Sequence, residues 1–216
     1  MTIYIYIMPK FQPKKWNKDK YTRKSHNCYA YFLNKKSRKI RNKCRGRLQS
    51  KNFKNKIIKT GSNYKNIRCR KCYRPKPGRA AGLRFTKKNY NCKNVVKRVL
   101  LDNKSIKKIS KNKKCPKNYY KGVSLINTKF MPGIKWFHFA RQDSNGEWSH
   151  KDGINKAELY NINKRVYNHP DKKVCSHFCV PKNSKQLRMK EEREFIDCKT
   201  KNKKRKTQKK YSNKRK

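Results

Sequence analysis

Acidic side chains are what this chain has least of: 11 Asp and Glu stand against 65 Lys and Arg in 216 residues, and Asp19 is the only carboxylate among the first hundred. A formal charge of +54 excludes a self-neutralising surface. It makes polyanion binding at low salt a property of the whole chain, because Lys and Arg displace counterions from phosphates. Apolar residues are also sparse, at 33%, so a core has to be concentrated in a few segments. No run approaches the ~20 apolar residues of a membrane span, and no membrane partner is expected. The opening MTIYIYIM (1–8) is too short for a signal-peptide core and lacks a small-residue cleavage site, so secretion by that route is not expected. Nine cysteines, an odd number, in a chain read as made in the cytosol are expected to be reduced, with metal binding or packaging in a particle as exceptions.

The charge has two readings that stay open. The 48 lysines and 23 asparagines against 17 arginines are what AT-rich coding produces by drift. Arginine, whose fork binds phosphate bidentately, is the better sign of selected phosphate recognition, and it is the minority.

Composition divides the chain into a basic N-terminal arm (1–24), a domain (25–198) with basic insertions near 35–68 and 104–118, and a tail (199–216) in which 11 of 18 residues are Lys or Arg. In the arm Ile3, Ile5 and Ile7 alternate, as in an edge strand or a disordered segment. The 35–68 insertion, with few apolar anchors, reads as mobile, and the tail as disordered unless a polyanion is present. Residues 74–82 carry two prolines and two glycines and read as a loop. Cys92, Val95, Val96, Val99 and Leu100 follow Asn91 at helical spacing and predict a second helix packed on the sheet. Strands are expected over 119–126, around His138 and over 174–180, and Ser184 is expected to cap a helix to about Asp197.

The segment WFHFARQDSNGEWSHK (136–151) holds the chemistry. Asp143-Ser144-Asn145-Gly146 suits a type I turn closed by a left-handed glycine, which makes a three-residue loop with 143 facing 147. In that register His138 and His150 share a face, with His150 diagonal to His138 and Asp152 directly opposite it. A two-residue Asn-Gly loop would send the rings to opposite faces. Asp143, Glu147, Asp152 and Glu158 cluster in sequence around the two histidines and are expected to hold them in place.

Upstream, Asn27 is a good N-cap and makes Cys28 the first residue of the helix that continues Tyr29-Ala30-Tyr31-Phe32-Leu33. Helix N–H groups, and a nearby imidazolium, are expected to stabilise a thiolate there. Cys28 would be the nucleophile, His138 the general base, and His150 the group that orients it, with Asp152 as the alternative. The bland alternatives are a buried structural thiol for Cys28 and structural hydrogen bonds for both histidines.

Cys28, His138 and His150, with twelve residues between the histidines, resemble the Cys-His-His order of NlpC-type cell-wall peptidases, a branch of the papain-like superfamily. The blocks NCYAYFLN (27–34), KPGRAAG (76–82), HFARQDSNGEWSHKDG (138–153) and SHFCVP (176–181) further resemble a poorly characterised family of bacterial and large-DNA-virus proteins, over roughly residues 26–181. The resemblance implies an α+β, papain-like (NlpC-type) fold in which a Cys-bearing helix packs on a small antiparallel sheet. It also implies a thiol hydrolase of amide or peptide bonds, located in a virion or in the cytoplasm of an infected host cell.

Such chemistry requires no cofactor. Cys69-Arg-Lys-Cys72 and Cys175-Ser-His-Phe-Cys179 are nevertheless a candidate four-thiolate zinc set, with packed thiols and disulfides as the alternatives. Cys44, Cys92, Cys115 and Cys198 have no evident partner in sequence. The rival to hydrolysis is a non-catalytic, strongly basic protein that uses the same fold as a scaffold. Its partners would be nucleic acid or other polyanions, bound through the tail, and other virion proteins.

Overall fold

The computed structural model describes residues 9–49, 58–60, 63–65, 72–84, 90–127 and 136–192. Three short helices come first: α1 (Pro13–Asn17), α2 (Lys20–Ser25) and α3 (Cys28–Phe32). Asp19 caps α2 through the Tyr21 amide, and the same carboxylate accepts from Thr22 and pairs with Arg41. The lone acidic residue of the first hundred thus joins α2 to α4 (Arg38–Gln49).

These helices correct two expectations. Within the 1–24 arm, residues 13–17 and 20–25 are helical, and Trp16 is fully buried against Tyr31 and His26; Ile3, Ile5 and Ile7 lie outside the described residues. Within the 35–68 insertion, α4 is ordered by two anchors one turn apart, Ile40 and Cys44, both buried. Few anchors suffice because Cys44 is also tied covalently to Cys72 and Lys43 pairs with Glu191.

The remaining elements are the β1 (Ile58–Thr60) and β2 (Asn63–Lys65) hairpin, β3 (Arg74–Pro75), α5 (Cys92–Asp102), β4 (Lys107–Ile109), β5 (Tyr119–Asn127), β6 (Trp136–Gln142), β7 (Trp148–Lys151), β8 (Ala157–Leu159), a π-helical turn (Asn163–Tyr167), β9 (Lys172–Pro181) and β10 (Glu191–Glu192). Six strands form one antiparallel sheet in the order β4-β9-β5-β6-β7-β8. The architecture is therefore mixed helix and sheet around a small antiparallel sheet. The 104–118 loop is partly structured, since β4 forms an edge strand within it and Cys115 is joined to Cys179.

Period-two alternation gives the sheet two apolar faces. On one, Tyr29 and Phe32 of α3, Leu33 at its C-cap, and Val95 and Val99 of α5 pack on Phe137, Phe139, Phe178 and Val180. Each fully buried side chain of this size contributes about 1.5–3 kcal/mol. Gly122 makes the approach possible: a Cβ there would lie 2.3 Å from Cε2 of Phe32. On the other face, Tyr160, Ile162 and Val166 cover Val123, Leu125 and Ala140.

Helix α5 follows its predicted cap, the Asn91 side chain accepting from the Asn94 amide. It ends in Asp102, whose carboxylate accepts from Tyr29 Oη (2.9 Å) and from the amides of Gly78 (2.7 Å) and Ala81 (2.9 Å). The 76–82 loop is thus folded around a carboxylate supplied by α5. The helix expected from Ser184 does not form over the described residues. Both amide groups of Asn103 grip the backbone of Arg188, and Leu187 is buried. The chain is held extended into β10, which pairs with β3. The tail, 199–216, lies outside the described residues.

Candidate active site

Strands β6 and β7 pair as Ala140 with His150, Arg141 with Ser149 and Gln142 with Trp148. Asp143 N donates to Glu147 O at 2.8 Å, Gly146 N donates to Asp143 O at 3.0 Å, and Gly146 has φ +84°. This is the three-residue loop with a left-handed glycine, and its register puts His138 and His150 on one face. His138 Nε2 lies 2.7 Å from His150 Nδ1, and His150 Nε2 lies 3.0 Å from Oε1 of Glu158. Tyr160, two residues beyond Glu158, stacks on His150 at 4.0 Å between centroids.

The protons of this chain of groups can be assigned from its far end. A carboxylate only accepts, so His150 carries its proton on Nε2. Burial holds the pKa of both rings down, that of His138 well below the usual histidine value with the neighbouring His150 and Lys172 adding to the effect. A neutral His150 protonated on Nε2 has only a lone pair at Nδ1, so His138 must donate to it from Nε2. His138 is left with a basic lone pair on Nδ1. That nitrogen lies 4.0 Å from Oδ1 of Asp152, too far for a hydrogen bond.

Of the four carboxylates expected around the histidines, Glu158 and Asp152 are there. Asp143 is instead buried against Arg141 and Ser149 and braces the hairpin, and Glu147 stays within the loop with Asn145. The orienting partner of His138 is His150, and Asp152 takes the secondary position.

Cys28 opens α3, and the side chain of Asn27 caps the helix by accepting from the Ala30 amide. The thiol is free, 2% exposed, and packed in the same core as Phe137 and Phe139. The pleat sets Phe137 and Phe139 on the face that receives α3, while His138 shares its face with Ala140, His150 and Tyr160. Cys28 therefore packs on the α3 face of β6, and no hydrogen bond or ion pair joins it to His138 among the described residues.

The expected thiolate is corrected. Burial pushes the Cys28 thiol up to about 12, the Asp152 charge adds to it, and the Phe139 amide, Arg74 and Lys151 oppose it. A five-residue helix has little dipole to offer, one of its free amides is already taken by Asn27, and the neutral histidines supply no cation. The resting group is a thiol.

The four-cysteine zinc set is also corrected. Cys72 is bonded to Cys44, Cys175 to Cys92 and Cys179 to Cys115, while Cys69 lies outside the described residues. No group of three or more metal-ligating side chains occurs among the described residues. The thiols expected to be reduced are thus paired with Cys44, Cys92 and Cys115, residues that had no evident partner. The spacings of 28, 83 and 64 residues explain why: partners so remote are matched only by the completed sheet. Among the described cysteines Cys28 alone is free.

Sequence reasoning missed Lys151. It is fully buried on the α3 face of β7, and its Nζ donates to the carbonyls of Arg23 (2.7 Å) and Gly153 (2.8 Å). The only available signal was its place immediately after His150. It also missed Tyr160, whose position two residues past Glu158 puts both on one side of β8.

Comparison with protein-family models, with curated proteins and with solved structures yields no match.

Proposed function

We propose that this protein is a thiol hydrolase of amide or peptide bonds, built on a papain-like (NlpC-type) fold, with Cys28 as nucleophile, His138 as general base and His150 as the orienting residue. The observation that carries the reading is the His138–His150–Glu158 relay, which leaves one basic nitrogen, Nδ1 of His138, free of hydrogen bonds among the described residues. Because thiol and imidazole both start neutral, proton transfer accompanies attack. Nδ1 takes the Cys28 proton as sulfur adds to the substrate carbonyl, and the relay supports the imidazolium. His138 returns that proton to the leaving amine, and water then hydrolyses the thioester. Glu158 extends the expected site by one member.

The test is release of amine from a panel of peptide amides and isopeptides. Cys28→Ala should abolish it, and His138→Ala should slow it by 10²–10⁴, the usual contribution of a positioned base. Turnover unaffected by either change would remove the proposal.

A second reading, nucleic-acid binding by a non-catalytic scaffold, is favoured by α4, which carries Arg38, Lys39, Arg41, Lys43, Arg45 and Arg47 and no acidic residue. It predicts binding without sequence preference that weakens steeply with salt. Replacing Arg38, Lys39 and Arg45, all exposed, by Gln should reduce the salt slope.

A further inference from the structure

The three bridges among the described residues differ in what surrounds their sulfurs. Cys44, Cys72 and Cys179 are buried, so Cys44–Cys72 and Cys115–Cys179 each have at least one sealed end. Cys92 and Cys175 are both partly exposed, and together they line an open cavity of about 610 Å³ whose other residues come from α5 and from Lys108 of β4. That volume falls in the ~300–1,000 Å³ range of small-molecule sites.

The rest of the lining sorts by polarity. Val96, Leu100 and Leu101 give the cavity an apolar wall. Lys93, Lys97 and Lys108 stand around it, all three exposed, and among the described residues no carboxylate lines it. An anionic ligand with some apolar surface matches this wall and this charge.

The two sulfurs are also unequal. Cys92 is the first residue of α5. Asn91 accepts the Asn94 amide through its side chain and the Val95 amide through its carbonyl, so the amides of Cys92 and Lys93 have no acceptor inside the helix. A thiolate released at Cys92 is stabilised by those amides, whereas Cys175 lies within strand β9. The sulfur whose thiolate is more stable leaves faster, which directs attack to Cys175.

We propose that the Cys92–Cys175 bridge is a thiol–disulfide exchange site for a small anionic peptide thiol, which binds in this cavity and is taken up on Cys175. The ligand thiolate attacks the Cys175 sulfur, a bond forms between those two sulfurs, the Cys92–Cys175 bond breaks, and its electron pair leaves on Cys92. The ligand sulfur is oxidised by as much as Cys92 is reduced, so the step needs no further oxidant or reductant. The ligand carboxylates meet the lysines. The reaction does not involve Cys28, which is buried. Helix α5 keeps its other tie when the bridge opens, because Asp102 still accepts from Tyr29 and from the 76–82 loop.

The experiment treats the full, oxidised chain with reduced glutathione at about pH 8, where free thiols are partly thiolate, quenches early time points with N-ethylmaleimide and maps the peptides by mass. Glutathione should appear on Cys175 and new maleimide on Cys92, while Cys44–Cys72 and Cys115–Cys179 stay closed. Earlier opening of either of those two, glutathione on Cys92, or no reaction at Cys92–Cys175 overturns the proposal.

Selection of an anion is read from rates. Lys97→Gln with Lys108→Gln should slow glutathione about fivefold, the scale of two exposed charge contacts, and leave neutral 2-mercaptoethanol within about twofold. Lys18→Gln with Lys156→Gln, exposed positions outside the cavity, removes the same charge and should slow glutathione less than about twofold, since distant charges are screened. Equal slowing by the two pairs, or of both thiols by the cavity pair, would overturn the assignment of an anionic ligand to this cavity.

Discussion

Glu158 Oε1 and His150 Nε2 lie 3.0 Å apart, and that contact fixes which nitrogen of His138, two groups away, is free to take a proton. Glu158 is itself 56% exposed, so its worth lies in tautomer selection more than in packing.

Glu158→Ala should therefore leave folding stability within about 0.5 kcal/mol, the range for exposed positions, while changing the histidine tautomers. Long-range ¹H–¹⁵N spectra should show His138 protonated on Nε2 in the native chain and a mixture in the variant. A single unchanged tautomer in the variant would show that Glu158 does not set it. The fall in Cys28-dependent hydrolysis should be about tenfold, the lower end for loss of a supporting group around an imidazole.

Gly146→Ala tests the loop. A Cβ at Gly146 meets nothing within 4 Å, so the cost is that of φ +84° alone, about 1–2 kcal/mol. The His138–His150 contact should survive. Deleting Gln142, with 143 still facing 147, should turn His138 to the other face and abolish ring-to-ring NOEs between the histidines. NOEs that persist after the deletion would mean that the turn does not govern the pairing.

His26 predicts acid sensitivity. It is fully buried, its Nε2 accepts from the Ser37 amide at 2.9 Å, and burial lowers its pKa from 6.5 to about 4. The unfolded chain then binds a proton at higher pH than the folded one, so stability is lost as the pH falls from about 6.5 to about 4. The loss from this group is on the order of 3 kcal/mol. Urea midpoints should track that window, and His26→Gln should be less stable at pH 7 but flatter below it. An equal pH slope in the variant would assign the effect elsewhere.

The Cys92–Cys175 bridge closes 83 residues. Its removal by Cys92→Ser with Cys175→Ser should cost roughly 4 kcal/mol by loop-closure entropy, measured as a lower urea midpoint. No change would place that stabilisation in the packing alone.

What could be read in advance follows the range of each interaction. The hairpin register, the Asn27 and Asn91 caps and the periodicity of α5 depend on neighbours within a few residues, and the structure has them where the local chemistry puts them. The helix expected from Ser184 failed because its local preference competes with Asn103, 85 residues away, which grips Arg188. Helix α4 was hidden by its charge, since Ile40 and Cys44 anchor it only once Cys72 and Glu191 arrive. At the site, the His138–His150 pair was visible in the turn, whereas Lys151 gains its meaning from α2 and α3, which sequence alone could not lay over β7. The thiolate expectation followed helix geometry correctly but ignored burial, which outweighs a five-residue dipole.

Strand β9 lies between β4 and β5 although it follows both in sequence. On the ribosome the helix with Cys28, the histidine hairpin and five of the six strands emerge before β9, the strand that joins β4 to the rest of the sheet. Cys92 and Cys115 are exposed long before Cys175 and Cys179 appear. An oxidant acting during synthesis would offer Cys92 and Cys115 only wrong partners, Cys28 among them. Both pairings of β9 are non-local and therefore slow to form. Native pairing is therefore favoured when oxidation follows release of the chain, and the yield of correctly bridged protein should depend on that timing.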